Sequence, residues 1–293
     1  MVDETKKIWI LWLQGEQKMP KLVRMCYESW CFHNPDYEII LLDNKSIDTY
    51  VKIDPRIRNN KNLSPQVISN IVRVKLLLKY GGVWADATLY CMKPLSSWIS
   101  NYLQSGFFAF DRPKKTRMLC NWFLAGQKGN KMLKEIDDIY SHFWIKYPNL
   151  RVLKNTFLVR FFTFSETSFL FPKYYHKKQL LMLCPLLMKW FKVYPYYVFH
   201  YLVEKKYYKK GVIKEIWDKT PKFSAVELAI ISSEGLNATI KQRLINEIKS
   251  QEIPVYKLSV KTEIDDEKKD SNISYLFDYH NNLLNKGDAL ITD

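Results

Sequence analysis

Glycine is scarce in this chain, at 9 of 293 residues. So thin a supply argues against the Gly-punctuated turns of an all-β protein, and no internal repeat suggests an array. Cysteine is also low and odd in number: Cys26, Cys31, Cys91, Cys120 and Cys184, with no CxxC pair. That suggests neither a disulfide framework nor a zinc site, and it fits a reducing cytosol with the thiols as small buried hydrophobes. Long apolar runs are missing too. The most hydrophobic stretch, 180–203, is broken by Pro185, Lys189, Lys192 and Pro195, and a spanning helix needs about 18–20 apolar residues in a row. The run behind the N-terminal MVDETKK, IWILWL, is too short for the apolar region of a signal peptide. Acid is the last shortage: 30 Asp and Glu against 45 Lys and Arg leave a net charge of +15. Such a surplus favours anionic partners, whether phosphate-rich molecules, nucleic acid or an acidic membrane face. No nucleic-acid-binding motif is visible, so nucleic acid is not expected as the partner.

What the chain does have is apolar and aromatic bulk, at 47% and 15% of residues. A chain of this length buries a core without staples, as one large domain or slightly more. Ile8–Leu13 reads as a buried strand ended by Gln14-Gly15, Val23–Phe32 as a helix, and Tyr37–Leu42 as a second strand closed by Asp43-Asn44. Strand, helix and strand at this spacing predict a βαβ unit and a parallel sheet. Its binding crevice should lie beyond the carboxyl ends of the strands, where Trp12, Gln14 and Asp43 fall.

Ser64-Pro65 marks a helix start, with a hydroxyl at the cap and Pro in the first turn. The helix should run over Gln66–Tyr80 and stop at Gly81, with Gln66, Asn70 and Arg73 sharing a face. Gly82–Tyr90 reads as a strand with Asp86 inside it. Phe107–Phe110 and Asn121–Ala125 are further strands, and Asn130–Tyr147 is a helix. From about 150 the chain turns aromatic and basic. Phe171–Gly211 holds nine Lys and a single acid, Glu204, which suggests amphipathic helices suited to an anionic membrane interface or to a solvated surface. Ile240–Ile248 and Ser274–Asn285 read as helices and Pro254–Val260 as a strand.

The segment that carries chemistry is Ser69–Leu95, SNIVRVKLLLKYGGVWADATLYCMKPL. A carboxylate in an apolar strand is costly unless it is paired or holds a cation. Arg73 presents a planar fork suited to phosphate or sugar hydroxyls. Asp86 and Arg73 facing one crevice would make a nucleoside-diphosphate site, with a hard cation on carboxylate oxygen. A structural ion pair between Asp86 and Arg73 or a lysine accounts for the same residues.

This segment resembles the donor site of GT-A glycosyltransferases. The resemblance is to the group of fungal outer-chain mannosyltransferases and capsular polysaccharide synthesis proteins (glycosyltransferase family 32 and relatives), and also to the sugar-transferring large clostridial toxins. Lys7–Gly15 (KIWILWLQG) and Asn121–Asn130 (NWFLAGQKGN) are similar to the group's first strand and sugar-pocket strand, and Tyr196–Val203 and Pro254–Leu258 more loosely to later landmarks. The resemblance implies a Rossmann-like α/β core over 1–150. A mainly helical, acceptor-side region over 151–293 would complete the same catalytic unit.

It also implies roles. Trp12 would stack on the donor base, with Gln14 and Asp43 beside it at the strand ends. Arg73 would contact sugar or diphosphate, with Asn70 and Asn121 at the sugar pocket. Asp86 and Thr88 would hold Mn2+ or Mg2+, His200 would stand on the acceptor side, and Lys257 would neutralise the leaving diphosphate. Two positions depart from the group's pattern: Thr88 replaces the second acid of the DxD motif, and Asn70 replaces an Asp three residues before the Arg. Both remove negative charge and should weaken metal binding. The implied reaction is retaining transfer of a hexose from a nucleotide sugar, UDP-linked first, to a saccharide or lipid-linked saccharide. The implied setting is bacterial capsule or surface polysaccharide synthesis, in the cytoplasm or peripherally on the inner face of the plasma membrane. The alternatives are a toxin-like protein glycosyltransferase and a non-catalytic nucleotide-sugar binder with a degenerate site.

Overall fold

The computed structural model describes residues 6–111, 117–152, 190, 192–194 and 196–289. The first strand, β1 (Lys7–Leu11), shows how the sequence builds the core. Its residues alternate, and side chains of a strand point to opposite faces. Ile8 and Ile10 therefore enter one apolar cluster while Trp9 and Leu11 enter another. After helix α1 (Lys21–His33) comes β2 (Glu38–Leu42), parallel to β1 as the βαβ reading requires. The short helices α2 (Ile47–Tyr50) and α3 (Pro55–Arg58) lead to α4 (Pro65–Tyr80), which delivers the chain to β3 (Gly82–Ala85), also parallel to β1. The strand β4 (Leu89–Cys91) leaves the sheet. β5 (Phe107–Asp111) and β6 (Leu119–Gly126) return to it, β6 antiparallel to both β3 and β5, giving the order β2-β1-β3-β6-β5. This is a mixed α/β sheet with the Rossmann-like half that was expected.

The sheet is covered on both faces. Helix α4 and α5 (Lys131–Lys146) supply Val67, Ile71, Leu133 and Trp144 to the cluster around Trp9, and α1 supplies Leu22, Met25 and Trp30 to the cluster around Ile8. The C-terminal region is helical, as expected, and it covers both faces. Helices Val198–Tyr207 and Val212–Lys219 join the first cluster through Phe199, Ile213 and Trp217. Helices Ile230–Glu234, Gln242–Ser250 and Asn272–Ala289 join the second through Ile231, Ile248 and Leu276. No helix of the described residues is long and apolar enough to cross a membrane. The helices expected within 171–211 lie largely outside the described residues; the helix Val198–Tyr207 is the described part.

The strand expected over Gly82–Tyr90 is two strands. The chain turns at Asp86, whose backbone N–H bonds Trp122 O at 2.9 Å and whose carbonyl accepts from Leu89 N at 2.8 Å. Asp86 thus stands at the carboxyl end of β3 rather than inside a strand, where its carboxylate escapes the apolar packing that made it anomalous. The short strands β7 (Arg151–Val152) and β8 (Val193–Tyr194) pair parallel with each other, and beyond the turn β4 pairs antiparallel with β9 (Val255–Lys257), Leu89 opposite Lys257. That pairing carries a residue from late in the chain to the mouth of the sheet. The expected hydroxyl cap of α4 is also absent: Ser64 occupies the cap position but makes no side-chain capping bond.

Candidate active site

Three segments meet beyond the carboxyl ends of β1 and β3. The chain leaving β1 contributes Trp12 and Gln14, one face of α4 contributes Gln66, Ser69 and Arg73, and the turn after β3 contributes Asp86 and Thr88. Together with Trp84 and Val260 they line an open cleft of about 360 Å3, a size typical of small-molecule sites. The Trp12 indole is half-buried at one wall and held by its Nε1–H, which donates to Lys18 O at 3.2 Å.

Arg73 is the fixed point. It is 4% exposed, and its guanidinium is pinned from several sides. Nη2 donates to Ser69 Oγ at 2.7 Å and approaches Asp86 Oδ1 at 3.2 Å, Nε donates to Ser69 O at 3.2 Å, and Nη1 donates to Asn121 O. Its plane lies 4.8 Å over the Trp84 ring. Burial lowers the Arg73 pKa while Asp86 opposes that shift; a guanidinium stays charged regardless. Trp84 Nε1 donates to the same Asp86 Oδ1 at 2.9 Å. Lys257 reaches across from β9: its ammonium donates to Thr88 Oγ1 and to Leu258 O at 3.3 Å, and lies 3.9 Å from Asp86 Oδ2. Burial also lowers its pKa, against the pull of Asp86.

The structure thus gathers Trp12, Gln14, Arg73, Asp86 and Thr88 on the cleft and joins Lys257 to them from behind. Asn70 does not share the cleft face of Arg73 as its spacing suggested. It turns toward α5, donating to Tyr140 Oη at 3.2 Å and accepting from Asn121 Nδ2 at 2.8 Å. The residue that shares the cleft face with Gln66 and Arg73 is Ser69, at i, i+3 and i+7. Asn70 and Asn121 form the support behind Arg73. Asp43 is not among the lining residues either. Its Oδ1 accepts from the N–H groups of Lys45 and Ser46 and from Ser46 Oγ, closing a turn, and the Ser46 bonds hold its pKa below the usual carboxylate value. His200 is buried in the helix Val198–Tyr207 with no partner for either ring nitrogen among the described residues. Burial, then the charges of Arg117 and Arg73, press its pKa well below 6.5 and keep it neutral. Sequence reasoning missed Ser69, Trp84 and Val260. The i−4 spacing of Ser69 from Arg73 was a readable signal; nothing in the sequence linked Val260 to this cleft.

The donor set fits a protein-held divalent cation poorly. Asp86 is the single acid on the cleft among the described residues, and no group of three or more His, Cys, Asp or Glu converges among them. Both candidate ligands are already engaged, Asp86 by Arg73, Trp84 and Lys257 and Thr88 by Lys257. What remains is a cleft with an aromatic wall, hydroxyl and amide groups, and a net charge of +1 from Arg73, Lys257 and Asp86. Such a surface accommodates a flat ring, polyol hydroxyls and an anion.

Comparison with known proteins places these features. O-glycosyltransferase braB of Annulohypoxylon truncatum is 28% identical over 170 residues, 51% of this chain and 40% of its own. The initiation-specific alpha-1,6-mannosyltransferase of Candida albicans is 27% identical over 157 residues, 45% of this chain and 41% of its own. Glycosyltransferase afumC of Aspergillus fumigatus is 24% identical over 161 residues, 48% of this chain and 41% of its own. The match thus spans about two fifths of each relative's length. These relatives are fungal, so they lend no support to the bacterial setting the resemblance implied. The solved PaToxG glycosyltransferase aligns over 85% of this chain and 87% of its own, at 14% identity and a TM-score of 0.36. The model of the capsular polysaccharide synthesis protein family matches residues 1–180, a stretch that contains Trp12, Arg73, Asp86 and Asn121, and the chain belongs to that family.

Proposed function

We propose that this protein is a glycosyltransferase that moves a hexose from a nucleoside-diphosphate sugar, UDP-linked in the first instance, to a saccharide or lipid-linked saccharide acceptor. The observation that carries this reading is the convergence of Trp12, Arg73, Asp86 and Thr88 on one cleft beyond the carboxyl ends of parallel strands, where α/β folds bind nucleotides. The matches to named glycosyltransferases support it. In the reaction, the bond from the sugar's anomeric carbon to the diphosphate oxygen breaks, and its electron pair leaves with the diphosphate. The acceptor oxygen bonds to that carbon and gives up its proton to the departing diphosphate. The chain's part is to place the sugar and stabilise the departing charge. Arg73 and Lys257 supply the positive field, and Asp86 with its turn positions sugar hydroxyls. Retention of configuration and a role in surface polysaccharide synthesis belong to the same proposal. So does a cytoplasmic site of action at the inner face of the plasma membrane, which the basic, aromatic composition of 171–211 favours.

The test is calorimetry with UDP-, GDP-, ADP- and CMP-sugars, beside Arg73→Ala and Trp12→Ala. Binding of one nucleotide class, lost in Arg73→Ala, and slow donor hydrolysis without acceptor are expected. No binding by any nucleotide sugar overturns the reading. Binding without hydrolysis or transfer would make the protein a nucleotide-sugar binder instead.

A further inference from the structure

The position of Lys257 goes beyond its expected part as a late neutraliser of the diphosphate. Its ammonium faces three oxygens: the Thr88 hydroxyl, the Leu258 carbonyl at 3.3 Å and Asp86 Oδ2 at 3.9 Å. Carboxylate, hydroxyl and carbonyl oxygens are the ligands a hard cation selects. The cation in that oxygen set is a lysine of the chain itself. The placement is built by the backbone. Leu89 pairs with Lys257 across β4 and β9, Leu258 N donates to Thr88 O at 2.9 Å, and Ser232 Oγ donates to Lys257 O at 2.7 Å. The turn that offers the oxygens and the strand that offers the ammonium are therefore held in one register.

Charge argues in the same direction. With Arg73 at 3.2 Å from one oxygen of Asp86 and Lys257 at 3.9 Å from the other, the cleft is already net positive. A divalent ion would have to displace the ammonium from Thr88 and then remain beside it, like charge against like charge at short range. A nucleoside diphosphate, by contrast, meets Arg73 on the cleft wall and the field of the Lys257 ammonium behind Thr88. Thr88 in place of a second acid belongs with this arrangement: a hydroxyl accepts from an ammonium and adds no charge to hold a metal.

We propose that Lys257 takes the place of the divalent cation at this donor site, so that the protein binds its nucleoside diphosphate without metal. The inference rests on the donor-site reading above. Calorimetry of UDP with the full chain, in EDTA and then in millimolar Mn2+, tests it. The wild type should bind UDP in EDTA within about twofold of its affinity in Mn2+. Lys257→Met should bind at least tenfold more weakly in EDTA, with Lys257→Arg recovering most of the loss, while a thermal melt shows each variant folded. Mn2+ alone, followed by its electron paramagnetic resonance signal, should stay free in the presence of wild type. Binding that appears only with Mn2+ overturns the inference and leaves the donor site standing. Unchanged EDTA affinity in Lys257→Met overturns it equally. Absence of UDP binding under every condition removes both the inference and the donor-site reading if the other nucleotides also fail. Should Lys257→Met not fold, the wild-type comparison between EDTA and Mn2+ decides alone.

Discussion

Asp86 faces three nitrogen groups from three parts of the chain: the Arg73 guanidinium, the Trp84 indole N–H and the Lys257 ammonium. Its chemistry was visible in the sequence because an acid among apolar neighbours needs a partner, and Arg73 was the obvious one. Lys257 entered the sequence reading only at the diphosphate; its approach to Asp86 was not legible, since nothing local ties residue 257 to residue 86. Trp12 lines the cleft from a loop at the edge of the second apolar cluster, so Trp12→Ala should leave the protein folded. It should weaken nucleotide binding by about 1–3 kcal/mol, the range of base–aromatic stacking, and Trp12→Phe should restore most of it; calorimetry reads both. Asn70 is different, being 8% exposed and bonded to both Tyr140 and Asn121. Asn70→Ala removes a hydrogen bond from the buried Tyr140 hydroxyl and another from the half-buried Asn121 amide, and should cost about 1–3 kcal/mol in urea unfolding. His33 sets a pH dependence. Burial, assisted by His280, lowers its pKa to about 4 from 6.5. A depressed histidine binds its proton in the unfolded chain first, so stability is lost as pH falls from about 6.5 to 4 and levels below that. The loss is on the order of 2–3 kcal/mol, and His200 acts in the same direction. Urea midpoints across that range should fall for wild type and fall less for His33→Gln.

At the scale of elements, the glycine pair behind α4 governs whether the site forms at all. Gly81 and Gly82 adopt φ of 75° and 94°, and a Cβ on Gly82 would collide with the Lys7 carbonyl oxygen. The tight approach is what lets β3 lie beside β1 and end at Asp86. Gly82→Ala combines a positive φ with a backbone clash and should destabilise by more than about 3 kcal/mol, read as a fall in melting temperature and a loss of nucleotide binding together. The helices and inner strands were legible because each carries its own periodicity and stop signals. The break at Asp86 was not. GVWADATLY has the alternating, β-branched look of one strand, and the turn is imposed by a long-range bond from Asp86 N to Trp122 O. The cleft face of α4 was misread by one position for a related reason: Asn70 and Ser69 flank Arg73 on the helix, and only the packing of α5 through Tyr140 decides which of them is drawn away from the cleft.

Across the whole molecule, a charge of +15 is joined by exposed aromatics in the basic region, Trp190 (80%), Tyr208 (55%) and Tyr196 (54%). If the protein works at an anionic membrane, it should co-sediment with vesicles rich in phosphatidylglycerol and not with neutral phosphatidylcholine. Raising salt should release it, because each lysine near the surface contributes about 1 kcal/mol that salt screens. Vesicle binding equal for both lipids, or none, would remove the membrane from the proposal.

The sequence by itself determined the α/β class, the parallel pairing of the first two strands and the residue types of the cleft. These follow from hydrophobic period, from Gly and Pro stops, and from the cost of an unpaired acid, all of which act over a few residues. Tertiary structure alone decided which cation meets Asp86 and Thr88. That choice depends on β9 pairing with β4 across more than half the chain, and a contact of that range leaves no periodic trace in the residues on either side.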